Sequence, residues 1–251
     1  INPYVYPIAA FSAEAQDYFD RLDTAGDTTY TPYKQPLANY IDGLVALGGA
    51  YWNTMESAAS FVGVGIEGVV VPLRSGMTTL TNNNFVDADL NQLTGLIGNG
   101  TNKDISTGVA ESQMGQNDSS FSVYASTREN TTARMMGSGA RNYIAGKPTN
   151  GYYANVNDSS FPILGTGTAV PNFVGVSRSS ATEITWLGYG QSGTTLETST
   201  WTPDASVFTV FSQAGTTYTT ARLATYHVGP ALTLATLESL QATLMSEIAA
   251  I

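Results

Sequence analysis

The chain has 251 residues, 42% of them hydrophobic and only 12% charged, with a formal net charge of −10. Its ten Lys and Arg are scattered, which excludes the cationic track that nucleic acid needs and the basic cluster that binds an anionic membrane surface. There is no cysteine, which excludes disulfides, thiolate metal sites and cysteine nucleophiles, and no apolar run approaches the roughly 20 residues that span a bilayer.

The opening "INPYVYPIAAFSAE" has neither a basic segment nor a long apolar core, so no signal peptide is expected there. Ser12 is placed to cap a first helix, with Glu14 in its first turn. Ala15, Tyr18, Phe19 and Leu22 recur at helical spacing and make one apolar stripe. "TAGDTTYTP" reads as a turn, and a second helix opens near Pro36. Leu37, Tyr40, Ile41, Leu44 and Leu47 form its stripe, and Gly48-Gly49 ends or bends it. "AYWNTMESAAS" is expected to add one or two helical turns. These helices present Tyr18, Phe19, Tyr40, Tyr51 and Trp52 among few charges. The lead-in, residues 1–61, is therefore expected to pack on the rest of the chain or on another copy.

From about Val62 to Gly229 the pattern is that of short strands. "EGVVVPL" is a short apolar run, and "NFVDADLNQLTGLIGNGTNKDIST" gives strands broken by Asn-Gly turns. "SSFSVYAST" alternates, with Phe121, Val123 and Ala125 on one face. "NFVGVSRSSATEITWLGYG", "TTLETSTW", "SVFTVFSQAG" and "TARLATYHVG" follow as antiparallel strands. Turn signals recur at the spacing of a sandwich or barrel. Gly229-Pro230 then breaks the extended chain. Thr233 is placed to cap a closing helix whose Leu234, Leu237, Leu240, Leu244 and Ile248 form a stripe. Residues 62–251 thus read as one sandwich with a C-terminal helix.

Few residues in this frame carry chemistry. His227 is the only histidine, and it reads as a strand-end residue hydrogen-bonded to a loop. A catalytic triad would need a serine in a sharp turn and an orienting carboxylate, and no G-x-S-x-G occurs. Glu183 and Glu197 could face each other across a hairpin whose loop spans 188–193, which is the arrangement of a glycosidase acid pair. Two acids on outward faces are also ordinary solvated residues. Asp87 and Asp89 offer calcium-type oxygens beside Asn82, Asn83 and Asn84, although Asx-rich loops are ordinary turns. "GVGIEG" lacks the strand–helix context of a dinucleotide turn, and no cofactor is expected. Trp186, Tyr189 and Trp201 are candidate stacking faces for sugar rings. Trp186 and Trp201 could equally pack in the core, while Tyr189, flanked by glycines, is expected to be exposed. N-x-[ST] sequons stand at Asn99, Asn117, Asn130 and Asn157.

Three stretches carry a family resemblance: "AEAQDYFDRL…LANYIDGLVALGGAYWNTMESAASFVG", "VPLRSGMTTLTNNNFVDADLNQLTGLIGNGTNKDISTG" and "TTARLATYHVGPALTLATLESLQATL". Together they resemble phage and prophage virion-associated proteins with a concanavalin A-like (LamG-type) jelly-roll domain. The resemblance implies a mainly β, antiparallel jelly-roll sandwich with an N-terminal helical segment and a C-terminal helix. It also implies a non-enzymatic structural or adhesion component of a phage particle, a homo-oligomer whose partners are other virion proteins, copies of itself and host-surface glycans. A free lectin-like module, or a polysaccharide-degrading enzyme, is the alternative.

Overall fold

In the computed structural model, helix α1 (Ala13–Ala25) begins where the Ser12 hydroxyl accepts the Ala15 amide at 3.1 Å. It ends at Gly26, whose φ of 84° is the left-handed cap that glycine supplies without strain. A 3-10 turn over Thr31–Tyr33 leads into α2 (Lys34–Ala46), and Gly48 at φ 121° redirects the chain into the short α3 (Gly49–Thr54). The structure describes residues 10–127, 129, 131–139, 141–147, 151–158, 163–166 and 172–251. The opening stretch 1–9 and the Asn130 sequon lie outside the described residues.

The helical turns expected across "AYWNTMESAAS" stop at Thr54. Ser57–Ser60 is strand β1, because its backbone pairs with the last strand of the sandwich. The remaining strands are β2 (Thr81–Asn83), β3 (Leu90–Asn91), β4 (Gly95–Ile97), β5 (Asp104–Ala110), β6 (Ser119–Ala125), β7 (Arg134–Ser138) and β8 (Asn142–Lys147). They continue as β9 (Gly151–Val156), β10 (Ile163–Thr166), β11 (Asn172–Arg178), β12 (Glu183–Gly188), β13 (Gln191–Leu196), β14 (Val207–Val210) and β15 (Arg222–Gly229). Helix α4 (Leu234–Ala249) closes the chain. The first sheet runs β13-β12-β11-β6-β15-β4-β3, with β1 also paired to β15; the second runs β10-β9-β8-β7-β14-β5-β2. The ladders are antiparallel, and the two sheets stack as a jelly-roll sandwich.

Alternation sorts the central strands into two faces. Phe121, Val123, Ala224, Tyr226 and Val228 turn inward. Phe121 meets Phe208 of β14 at 5.5 Å, and Tyr226 stacks on Phe61 at 5.7 Å. Ser120, Ser122, Tyr124, Thr225 and His227 turn outward, yet they are buried too. The helices account for this. Helix α4 packs over β11 and beside α2, where Asn39 Nδ2 donates to Glu247 Oε2 at 3.0 Å. Tyr18, Phe19, Tyr40 and Trp52, which the sequence left as an unmatched apolar surface, are buried inside this chain.

The run "EGVVVPL" is not a strand. Gly68–Val70 forms a 3-10 turn, and the reason is Asp27. This carboxylate is 1% exposed. Its Oδ2 accepts the Gly65 amide at 2.7 Å, and its Oδ1 accepts the Thr29 amide and hydroxyl at 2.8 Å each. A Cβ on Gly68 would stand 2.2 Å from Asp27 Oδ2. Gly65 and Gly68 of "GVGIEG" therefore make room for a buried carboxylate, not for a phosphate, while Gly63 makes room for Tyr33 and Ile248. Strands β7–β10 carried no expectation, since glycines and turns interrupt them so often that no alternating run of useful length survives.

Gly68→Ala is expected to lower unfolding stability by about 1–3 kcal/mol, the usual cost of forcing a methyl group into a filled site. Urea denaturation measures this; an unchanged midpoint would remove the close-approach account.

Candidate functional site

The hairpin β12–β13 turns on two residues only. Tyr189 and Gly190 have φ of 53° and 74°, the geometry that suits the strand twist, and Gly188 pairs with Gln191 across the turn. The loop expected over 188–193 is thus mostly ladder. Tyr189 corrects its expectation as well: it is 4% exposed, with its ring 5.8 Å from that of Tyr152. Left-handed backbone at the turn folds its side chain back onto the sandwich edge. Trp186 turns to the same inner side. Its Nε1 donates to Thr195 Oγ1 at 3.1 Å, its ring meets Tyr152 edge-on at 6.4 Å, and it lies against Gly193, where a Cβ would come within 2.7 Å.

Trp201 has a separate set of neighbours. Its Nε1 donates to Glu111 Oε2 at 3.4 Å, and the Arg141 guanidinium lies 5.5 Å from its ring. The three candidate aromatics therefore do not assemble one stacking platform. Nor do the two candidate acids face each other. Glu183 pairs with Leu196, and the Glu197 amide donates to Thr182 O at 2.9 Å, one step further along. Neighbouring residues of a ladder point to opposite faces, so the carboxylates diverge. The buried carboxylates are already engaged: Glu111 accepts the Ser138 hydroxyl at 2.5 Å, and Glu129 accepts the Thr131 and Thr220 amides at 2.8 and 2.9 Å.

Asp87 and Asp89 lie on one 3-10 turn, but Lys103 Nζ holds the Asp89 carboxylate at 2.5 Å, and Asp89 Oδ2 also accepts the Val86 amide at 2.8 Å. A lysine thus occupies the position the calcium reading reserved for a cation. Among the described residues no three His, Asp or Glu gather as metal ligands.

His227 lies within β15 rather than beside a loop, 1% exposed on the outward face beneath α3. Its Nε2 shares a hydrogen bond with the Tyr51 hydroxyl, and its Nδ1 is unpartnered. Burial alone holds its pKa down to about 3, so the ring is neutral at pH 7. Burial also pushes the Tyr51 hydroxyl far above its ordinary range. Ser122 Oγ, Thr225 Oγ1 and Gln241 Oε1 are likewise buried without partners in the layer between helices and sheet. His227 is sealed from any substrate.

Helix α4 covers β11 but leaves the outer face of the β12–β13 hairpin largely open. A groove of about 590 Å³ runs there between the hairpin and the segment 231–235 that enters α4. Ser177, Ser179, Thr185, Ser192, Thr194 and Thr233 line it with hydroxyls, Leu187, Leu232 and Leu234 supply its apolar floor, Trp186 also borders it, and among the described residues no charged side chain does. The Ser177 hydroxyl accepts the Leu232 amide at 3.1 Å, which fixes the wall formed by 231–233. Of the three aromatic candidates read from the sequence, Trp186 borders this groove and Tyr189 and Trp201 do not; its hydroxyl lining was missed, because its signal was only the Ser/Thr content of the outward positions of two strands.

No family model matches the chain, and no curated protein matches it. Solved structures share its fold. Trypanosoma rangeli sialidase in complex with 2,3-difluorosialic acid aligns at a TM-score of 0.52 and 14% identity, over 78% of this chain and 33% of the sialidase. The botulinum neurotoxin serotype D binding domain aligns at 0.52 and 8% identity, over 77% of this chain and 52% of that one. The receptor binding domain of botulinum neurotoxin mosaic serotype C/D aligns at 0.52 and 8% identity, over 76% and 50%. The chain thus spans about a third of the sialidase and about half of each toxin domain, and the likeness is one of fold.

The buried histidine sets a pH dependence. Its folded pKa of about 3 lies below the 6.5 of an unfolded histidine. Between those values the unfolded chain binds a proton that the folded chain does not, so stability falls as pH falls. The slope approaches about 1.4 kcal/mol per pH unit. His227→Gln is expected to lose this component in urea titrations run from neutral pH down to about pH 4. Parallel profiles for variant and wild type would disprove it.

Proposed function

We propose that the chain is a non-catalytic, glycan-binding sandwich module carried on a bacteriophage particle, with the groove beside β12–β13 as its binding site. The observation that carries this reading is the lining of that groove: six hydroxyl side chains over an apolar floor, with no charge among the described residues. Neutral sugars present hydroxyls and C–H faces, which such a surface matches through hydrogen bonds and apolar contact. A charged ligand would find no counter-ion there. The phage setting rests on the family resemblance of the sequence, and a low-charge, cysteine-free chain suits assembly into an extracellular particle.

Catalysis is the less favoured reading. A retaining or inverting glycosidase needs two carboxylates on one cleft, whereas Glu183 and Glu197 diverge and the groove contains neither.

A glycan array probed with the purified chain is expected to return neutral oligosaccharides. Thr185→Arg, at an exposed groove position, should weaken that binding at least about tenfold, or roughly 1.4 kcal/mol, without changing thermal stability. Trp201→Ala should leave binding intact. Loss of binding in Trp201→Ala, or release of reducing sugar from a bound glycan, would refute the assignment. An antibody against the chain should decorate intact phage particles in electron micrographs, and purified virions that lack the chain would refute the setting.

A further inference from the structure

A sheet edge is a row of unpaired N–H and C=O groups, and proteins blunt it by shortening the strand or by placing charge, proline or a bulge on it. Among the described residues the two sheet paths end at β13, β3, β10 and β2, and β1, which pairs only with β15, is a further edge that is buried throughout and covered where the Leu73 amide donates to Ala58 O at 2.9 Å. Strand β3 has two residues, β2 three and β10 four. Strand β13, "QSGTTL", has six. It carries no charge and no proline, and its ladder with β12 runs without a register shift. At its end stands Leu196, 82% exposed and the most exposed large apolar residue among those described. One edge of this molecule is therefore long, straight, neutral and apolar at its tip.

The hairpin turn fixes which groups face out. In a two-residue turn the flanking pair, here Gly188 and Gln191, exchanges hydrogen bonds. Gln191, Gly193 and Thr195 then bond inward to β12, and the N–H and C=O of Ser192, Thr194 and Leu196 point away from the sheet. Their side chains share the outer face, since each pairs with an outward residue of β12.

We infer that β13 pairs with β13 of a second copy of this chain, antiparallel and about a two-fold axis through Thr194. This register aligns all the outward backbone groups. It sets Thr194 against Thr194, a favourable cross-strand pair, and Leu196 against Ser192, so that each Leu196 is covered by its partner strand. Charge selects the direction. In this antiparallel register the two Glu197 carboxylates stand six residues apart, roughly 20 Å at 3.3 Å per residue, beyond the screening length of about 8 Å. A parallel, in-register pair would set them side by side, about 5 Å apart. The antiparallel pairing holds for a chain of net charge −10 because its edge is the stretch from which charge is missing. The two outer-face grooves then abut across the axis, each contributing Ser192 and Thr194. The pairing itself does not rest on the glycan reading.

Sedimentation equilibrium of the intact chain at about 100 µM is expected to give twice the 26.5 kDa of the monomer. Thr194→Pro removes an outward N–H, which an edge strand tolerates, and Thr194→Lys adds the charge that protects natural edges. Each should halve the mass with an unchanged circular dichroism spectrum, and the lysine variant keeps the test open if the proline variant does not fold. A monomeric wild type at that concentration overturns the inference, whether or not an extended peptide binds the edge. A dimer that survives Thr194→Lys overturns it equally, since the contact would then lie on another face.

Discussion

Strand β15 is the constraint on which the rest of the molecule depends. It pairs with β6 on one side and with β1 and β4 on the other, and both of its faces are buried. Its inward face, Ala224, Tyr226 and Val228, belongs to the sandwich core. Its outward face carries Thr225 and His227, which water must not reach. Helix α3 reaches that second face through Tyr51 on His227, and α2 and α4 meet each other through Tyr40 and Gln241. The lead-in buries its dilute apolar surface within this chain: Tyr18, Phe19, Tyr40 and Trp52 are all closed to solvent.

The cost of this arrangement is a polar layer in the dark. Ser122, Thr225, His227 and Gln241 each leave one polar atom without a partner under the helices. Buried groups of this kind each weaken a fold by about 1–3 kcal/mol. They also fix which helix face docks where, since Tyr51 meets His227 and Tyr40 meets Gln241 at 3.3 Å in one arrangement only. The same logic governs "GVGIEG" at the other end of the lead-in, where Asp27 selects glycine by proximity.

The sequence made the fold class legible because its signals are local. Helix stripes, the Ser12 cap and the long alternating runs of β6, β11, β12 and β15 each follow from neighbours within a few residues. What stayed hidden depends on distant partners. Ser57–Ser60 is a strand because of Thr225–Val228, and Gly68–Val70 is a turn because of Asp27. Tyr189 is buried because Tyr152 arrives from the other sheet. The site was less legible than the fold. Of the aromatic residues that drew attention as stacking faces, only Trp186 borders the groove, while Tyr189 packs at the sandwich edge and Trp201 lies apart; the rest of the groove is built largely from serine and threonine, which carry no signature in a chain rich in both.

The ladder between β1 and β15 also sets an order of events. Ser57 pairs with Val228, so closing the first sheet must wait until Val228 has been made. Synthesis at about 5–20 residues per second leaves the lead-in helices without their sheet for roughly 10–35 seconds. Throughout that interval Tyr18, Phe19, Tyr40 and Trp52 face solvent or a chaperone. Contacts so far apart in sequence also fold slowly once available. The vulnerable species of this protein is therefore the nascent chain rather than the finished molecule, and β15 is the strand that ends its exposure.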